Sequence, residues 1–187
     1  MEISEILKKY NTDKESHHGY GKAYGEIFKK FDREAALNIL EVGTQKGGSL
    51  LAWKEYFPNA NVYGVDIIDV VPDEYRKDTV TRIISDIKDW KNDIKWDIVI
   101  DDGSHYLPDV VYVISQYIHK LNDNGVLVVE DVRFPNLMGA VIKNIFDDMN
   151  IIYPHYDTDV FFDIGSYDVR RVDSQTSYLI IIQKHRK

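Results

Sequence analysis

The sequence predicts an α/β fold: a mostly parallel, seven-stranded sheet with helices on both faces and an antiparallel C-terminal strand. Three observations carry that prediction. Apolar runs of four to seven residues alternate with longer amphipathic stretches, the pattern of a parallel sheet covered on both faces. The residues that follow those runs are strongly acidic, and the carboxyl ends of the strands are where open α/β sheets bind ligands. The final apolar run is preceded, across a polar stretch, by a weaker one that can pair with it antiparallel at a sheet edge.

The expected strands are Asn38 to Val42, Val62 to Asp66, Thr79 to Ile84, Trp96 to Ile100, Gly125 to Val129, Ile151 to His155 and Tyr178 to Gln183. Helical periodicity fills Ser49 to Phe57, Pro108 to Leu121 and Leu137 to Met149, with a short helix over Pro72 to Arg76. Residues 1–37 read as a helical cap segment outside the sheet, and residues 38–187 as the core. With no repeat, low-complexity tract or linker, all 187 residues are expected to form one domain.

Hydrophobic residues make up 44% and charged residues 29%, which is ordinary globular composition. The net charge of -8, with Lys and Arg scattered, argues against nucleic acid as a partner. Cysteine is absent, which excludes disulfides and thiolate chemistry, so a bound metal must use oxygen or histidine. Neither a signal-peptide pattern nor a run of about 18 apolar residues is present, and a cytoplasmic protein without a membrane partner is expected.

Glu41-Val-Gly-Thr-Gln-Lys-Gly-Gly-Ser49 follows the first strand and opens a helix, so Gly43, Gly47 and Gly48 allow a tight turn and close approach of a ligand to the backbone around Thr44 and Ser49. The spacing is neither a phosphate-binding loop nor G-x-G-x-x-G, which argues against nucleotide hydrolysis and weakens a nicotinamide-dependent oxidoreductase. Asp66 ends the second strand, where a carboxylate can accept ribose hydroxyl protons, and Asp86 follows the third, within reach of an adenine amino group. Together these residues resemble the S-adenosylmethionine-binding pattern of class I methyltransferases. That resemblance makes the fold Rossmann-like.

At the fourth strand, Trp96-Asp-Ile-Val-Ile-Asp-Asp-Gly-Ser-His105 ends in two carboxylates and a histidine, and Val126-Leu-Val-Val-Glu-Asp131 ends the fifth in two more carboxylates. If the two strands are neighbours, as in class I methyltransferases, Asp102, Glu130 and Asp131 converge and would repel one another unless a cation sat between them. Oxygen ligands favour Mg²⁺, with Mn²⁺ or Ca²⁺ as alternatives. His105 is then placed to take a proton from an acceptor hydroxyl. Two plainer readings stay open: Asp102 to Ser104 as a turn before a helix, and His105 as a loop histidine. Asp101, whose neighbour Asp102 should point the other way, is assigned to the cofactor side.

Asn11-Thr-Asp-Lys14, His17-His-Gly-Tyr20, the glycine loop, Tyr56-Phe-Pro-Asn-Ala60, Val62-Tyr-Gly-Val-Asp66, Asp101-Asp-Gly-Ser-His105 and Glu130-Asp131 together resemble metal-dependent sugar O-methyltransferases of the macrolide and polyketide kind, with cephalosporin-hydroxylase-like relatives. The resemblance runs from Asn11 to about Asp131. It implies that Asp102, Glu130 and Asp131 are metal ligands, that His105 is the general base, and that Thr12, Lys14, His18, Tyr20 and Tyr24 close over cofactor or substrate.

The acceptor so implied is a carbohydrate or glycosylated small molecule, with a sugar of a capsule, lipopolysaccharide or glycan chain as an alternative. A catechol-like diol, or a non-catalytic module that only binds the cofactor, are the competing readings. Larger members carry a separate N-terminal domain and a long lid that these residues do not contain, so the acceptor site is expected to be open or completed by another subunit in a homo-oligomer. Tyr106, Arg133, Phe134 and the Asp-, Tyr- and Phe-rich stretch Tyr153 to Ser174 are the expected acceptor contacts, with a self-packed surface loop as the alternative for that stretch.

Overall fold

The computed structural model describes residues 1–132, 135–148, 161–164, 167–173 and 178–185. Its backbone falls into two units, one built chiefly on Met1–Asn92 and the other chiefly on Asp93–Asp173 with the C-terminal strand.

In the first unit, helices α1 (Ile3–Lys9), α2 (Asp13–Ser16) and α3 (Gly21–Phe28) precede β1 (Asn38–Val42), α4 (Gly48–Tyr56), β2 (Asn61–Asp66) and β3 (Thr81–Ile84). The strands pair in parallel in the order β3-β2-β1, with Glu41 opposite Gly64 and Asp66 opposite Ile84. The last four residues of β1 are all buried, which is why the run reads as continuously apolar apart from Glu41. Helices α3 and α4 meet through Tyr24, Phe28 and Trp53, all buried, with ring centroids 4.9 to 5.4 Å apart. Aromatic contacts of this kind add roughly 0.5–1.5 kcal/mol each beyond the area they bury. They anchor the N-terminal helices onto α4.

The second unit contains β4 (Trp96–Asp101), α5 (Leu107–Tyr117), β5 (Leu121–Val132), α6 (Pro135–Asp148), β6 (Phe161–Ile164), β7 (Tyr167–Asp173) and β8 (Tyr178–Lys184). Their order is β4-β5-β8-β7-β6; β4 and β5 are parallel and every later pairing is antiparallel. Pro108 sits in the first turn of α5, where its missing N–H has no partner to lose. Parallel pairing of β4 and β5 brings the carboxyl ends of the Asp101 and Glu130 runs to the same edge.

Three expectations need correcting. Eight strands are present among the described residues where seven were expected, and the antiparallel C-terminal part has three strands rather than one. β6 and β7 fall within Tyr153 to Ser174, and β7 lies beside β8, so part of the stretch for which a surface loop was the alternative reading is sheet. Pro72 to Arg76 holds only the 3₁₀ turn Asp73–Tyr75, none of whose residues is buried, so no apolar face pulls it into a longer helix. The expected strand Ile151 to His155, the candidate contacts Arg133 and Phe134, and the remainder of Tyr153 to Ser174 lie outside the described residues. No helix among the described residues is long and apolar enough to cross a membrane.

Candidate active site

The glycine loop between β1 and α4 winds through three left-handed residues, Gly43 (φ 80°), Gln45 (φ 47°) and Gly47 (φ 78°). Asp66 holds that path. Its Oδ2 accepts the backbone N–H groups of Thr44 and Gln45, both at 2.8 Å, and its Oδ1 accepts that of Ile68 at 3.1 Å. A carboxylate has about four lone-pair sites, so Oδ1 keeps acceptor capacity for a ligand hydroxyl. Asp66 therefore shapes the loop before it can touch anything bound there. Gly48 has a different reason for lacking a side chain: a Cβ there would lie 2.7 Å from the Tyr10 carbonyl oxygen and 3.3 Å from Thr12 Cγ2. The N-terminal segment thus packs directly on the start of α4.

Glu41, expected at the cofactor, is buried, as is Lys14. Lys14 Nζ lies 3.1 Å from Glu41 Oε1, and Trp53 Nε1 donates to Glu41 Oε2 at 2.8 Å. Thr12 is buried with its Oγ1 lacking a hydrogen-bond partner, and Tyr20 and Tyr24 are fully buried. His18 stacks on Tyr20, ring centroids 5.1 Å apart. Ser49 and Thr44 are buried in the loop, whereas Asp86 is exposed and uses its Oδ1 to accept the backbone N–H of Lys88 at 2.8 Å. The structure pairs Lys14 with Glu41 and sets Thr12 against the start of α4 at Gly48. A buried hydroxyl without a partner beside a loop at a helix N-terminus fits a polar ligand with hydrogen-bonding capacity.

In the second unit, Asp102, His105 and Asp131 come together. Each offers one ligand atom, and these atoms lie within 4.8 Å of one another. His105 Nε2 is 3.8 Å from Asp102 Oδ1 and 3.7 Å from Asp131 Oδ2, with all three side chains partly exposed. Two of the three sit on left-handed backbone, His105 at φ 56° and Asp131 at φ 54°. The pairing of β5 with β8 shifts register between Val129 and Val132, and that irregularity turns the chain at Glu130 and Asp131. Two carboxylates and an imidazole at this spacing fit a divalent cation. Glu130 is buried, 2% exposed, and is not one of the three grouped residues.

Asp101 is 4% exposed, with Gly103 N–H donating to its Oδ1 at 3.4 Å and no hydrogen-bond partner at Oδ2. Burial is the main cause that pushes its carboxyl up to about 7; the Asp102 and Asp109 charges add to it and the Gly103 amide opposes it. Sequence reasoning missed Ser104 and Asp109. Ser104 Oγ donates to Asp109 Oδ2 at 2.6 Å and accepts the Tyr106 N–H at 3.2 Å. A Ser and an Asp flanking Pro108 at a helix start were the available signal. Tyr106 itself is 65% exposed beside this cluster.

No family model matches the chain. Among solved structures, the MycE methyltransferase of the mycinamycin biosynthetic pathway, in complex with Mg and SAH, superposes with a TM-score of 0.72 at 22% identity, covering 100% of this chain and 55% of that one. A precorrin-6y C5,15-methyltransferase from Geobacter metallireducens GS-15 gives 0.61 at 16% identity over 89% of each chain. The fold is the Rossmann-like α/β fold of class I methyltransferases.

Within that class the sequence resembles sugar O-methyltransferases of macrolide and polyketide pathways. It is 36% identical over 155 residues to the 8-demethyl-8-alpha-L-rhamnosyl tetracenomycin-C 2'-O-methyltransferase of Streptomyces olivaceus, covering 74% of this chain and 40% of the relative. It is 31% identical over 144 residues to the mycinamicin VI 2''-O-methyltransferase of Micromonospora griseorubida, covering 70% and 36%. The chain thus spans about two fifths of the length of the curated relatives it matches.

Proposed function

We propose that this chain is an S-adenosylmethionine-dependent O-methyltransferase that methylates a sugar hydroxyl of a glycosylated small molecule, with Mg²⁺ as the divalent cation. The observation that carries the reading is the cluster of Asp102, His105 and Asp131 within 4.8 Å, on a chain whose curated relatives are named for methylating sugars. Those relatives are named for methylating sugars of small-molecule glycosides, which supports a glycosylated small molecule over a polysaccharide as the acceptor. The glycine loop, shaped by Asp66, holds the methyl donor. Asp102 and Asp131 hold the cation, joined by Glu130 on the strength of the family resemblance. A bound cation supplies Lewis acidity that makes an acceptor hydroxyl easier to deprotonate.

His105 Nε2 takes the hydroxyl proton while the oxygen forms a bond to the donor methyl carbon. The carbon–sulfur bond breaks, and its electron pair stays on sulfur as S-adenosylhomocysteine. Exposed Tyr106 offers a ring face to the sugar. The test is transfer of labelled methyl from S-adenosylmethionine to a panel of rhamnosides, other glycosides and catechols, with Mg²⁺ or with excess chelator. Cation-dependent labelling of glycosides is expected. Labelling of catechols alone would replace the sugar, and full activity in chelator would remove the cation.

A further inference from the structure

His105 sits on left-handed backbone at φ 56°, a conformation that non-glycine residues adopt uncommonly, His less rarely than most, and that is held by its surroundings. The enforcing contacts are on either side of it. Ser104 Oγ donates to Asp109 Oδ2 at 2.6 Å, fixing the residue before His105 to the first turn of α5. The same Oγ accepts the N–H of Tyr106, fixing the residue after it. The Tyr106 carbonyl in turn accepts the backbone N–H groups of Asp109 and Val110 at 2.9 and 3.1 Å. One hydroxyl therefore spans His105 and ties both its neighbours to a rigid helix.

We propose that Ser104 and Asp109 form a latch that holds His105 in its left-handed conformation and so sets the spacing of the Asp102, His105 and Asp131 cluster. Neither residue is one of the grouped ligands; both are positioning residues. The inference rests on the functional reading above in taking Asp102 and Asp131 as cation ligands with the His105 base beside them. Helix α5 is the fixed body against which the loop is set. Sites built on a rigid element hold their geometry better than sites on free loops.

The probe is Mn²⁺ alone, its affinity read by electron paramagnetic resonance, with amide hydrogen exchange of Tyr106 reporting the latch itself. Ser104→Ala and Asp109→Ala should each accelerate Tyr106 exchange and weaken Mn²⁺ binding at least about threefold, while Ser104→Thr, which keeps the hydroxyl, restores both. Wild-type Mn²⁺ affinity in Ser104→Ala would overturn the latch, as would failure of Ser104→Thr to restore affinity. Wild-type protein that binds Mn²⁺ but methylates no acceptor would instead remove the enzyme reading and leave the latch to be judged on its own affinity data.

Discussion

Lys14 and Glu41, both expected to meet the cofactor, form a buried ion pair with each other. A buried ammonium and carboxylate 3.1 Å apart, with Trp53 Nε1 on the second carboxylate oxygen, leave little charge uncompensated. Removing one partner strands the other in a medium that solvates it poorly, which costs about 3–5 kcal/mol. Lys14→Met should therefore lower the urea midpoint strongly, and the double variant Lys14→Met with Glu41→Leu should recover much of the loss. A single variant as stable as wild type would show the pair to be dispensable. Asp101 gives the opposite kind of prediction. Its folded carboxyl titrates near 7, above the roughly 3.9 of an unfolded Asp, so between those values the folded chain binds the extra proton. Stability is then lost as pH rises from about 4 through 7, by on the order of 2 kcal/mol between pH 5 and 8. In chelator, Asp101→Asn should flatten that fall in urea unfolding; an unchanged slope would mean that Asp101 does not titrate there.

At the scale of elements, the glycine loop shows how far sequence reading reached. Its position after β1, the carboxylate at the end of β2 and the helix that follows were all legible, because apolar runs and glycines mark a strand-to-helix turn directly. The reason for Gly48 was not legible, since it depends on a carbonyl from Tyr10, 38 positions earlier in the sequence. Gly48→Ala would push its Cβ against backbone rather than a yielding side chain, at a cost of roughly 1–3 kcal/mol. The expected result is a lower thermal midpoint with weaker S-adenosylhomocysteine binding by calorimetry, because Tyr10 and Thr12 must move off the loop. Undiminished affinity would separate the N-terminal segment from donor binding. The hairpin of β6 and β7 escaped notice for a related reason. Its strands carry charged and aromatic residues rather than an apolar run, although the Gly165-Ser166 pair between them was a usable hairpin signal. The latch at α5 is likewise local in sequence but visible only once Ser104 and Asp109 are seen to share a hydrogen bond.

Over the whole molecule, the residues assigned to the methyl donor fall in the first unit, Asp101 excepted, and those assigned to the acceptor in the second. Thr12, Lys14, Glu41, the glycine loop and Asp66 belong to the first, and Asp102, His105, Glu130 and Asp131 to the second. The sequence order already separated the two sets, and the structure shows that each has its own internal support: Asp66 and the Lys14–Glu41 pair in one, the irregular end of β5 and the Ser104–Asp109 contact in the other. If the two sets share no partner, substitutions in them act nearly independently, with effects that add to within about 0.3–0.5 kcal/mol. Asp102→Ala and Asp131→Ala should therefore abolish cation binding and turnover yet leave S-adenosylhomocysteine affinity within about twofold of wild type. Asp66→Asn, which weakens the acceptor that shapes the loop, should do the reverse: donor affinity falls while Mn²⁺ affinity holds. Calorimetry with S-adenosylhomocysteine and paramagnetic titration with Mn²⁺, run on the same three variants, measure both halves. Parallel loss of both ligands in any of the three would mean that the two sets of residues form one coupled site, and the division between donor and acceptor residues would have to be redrawn.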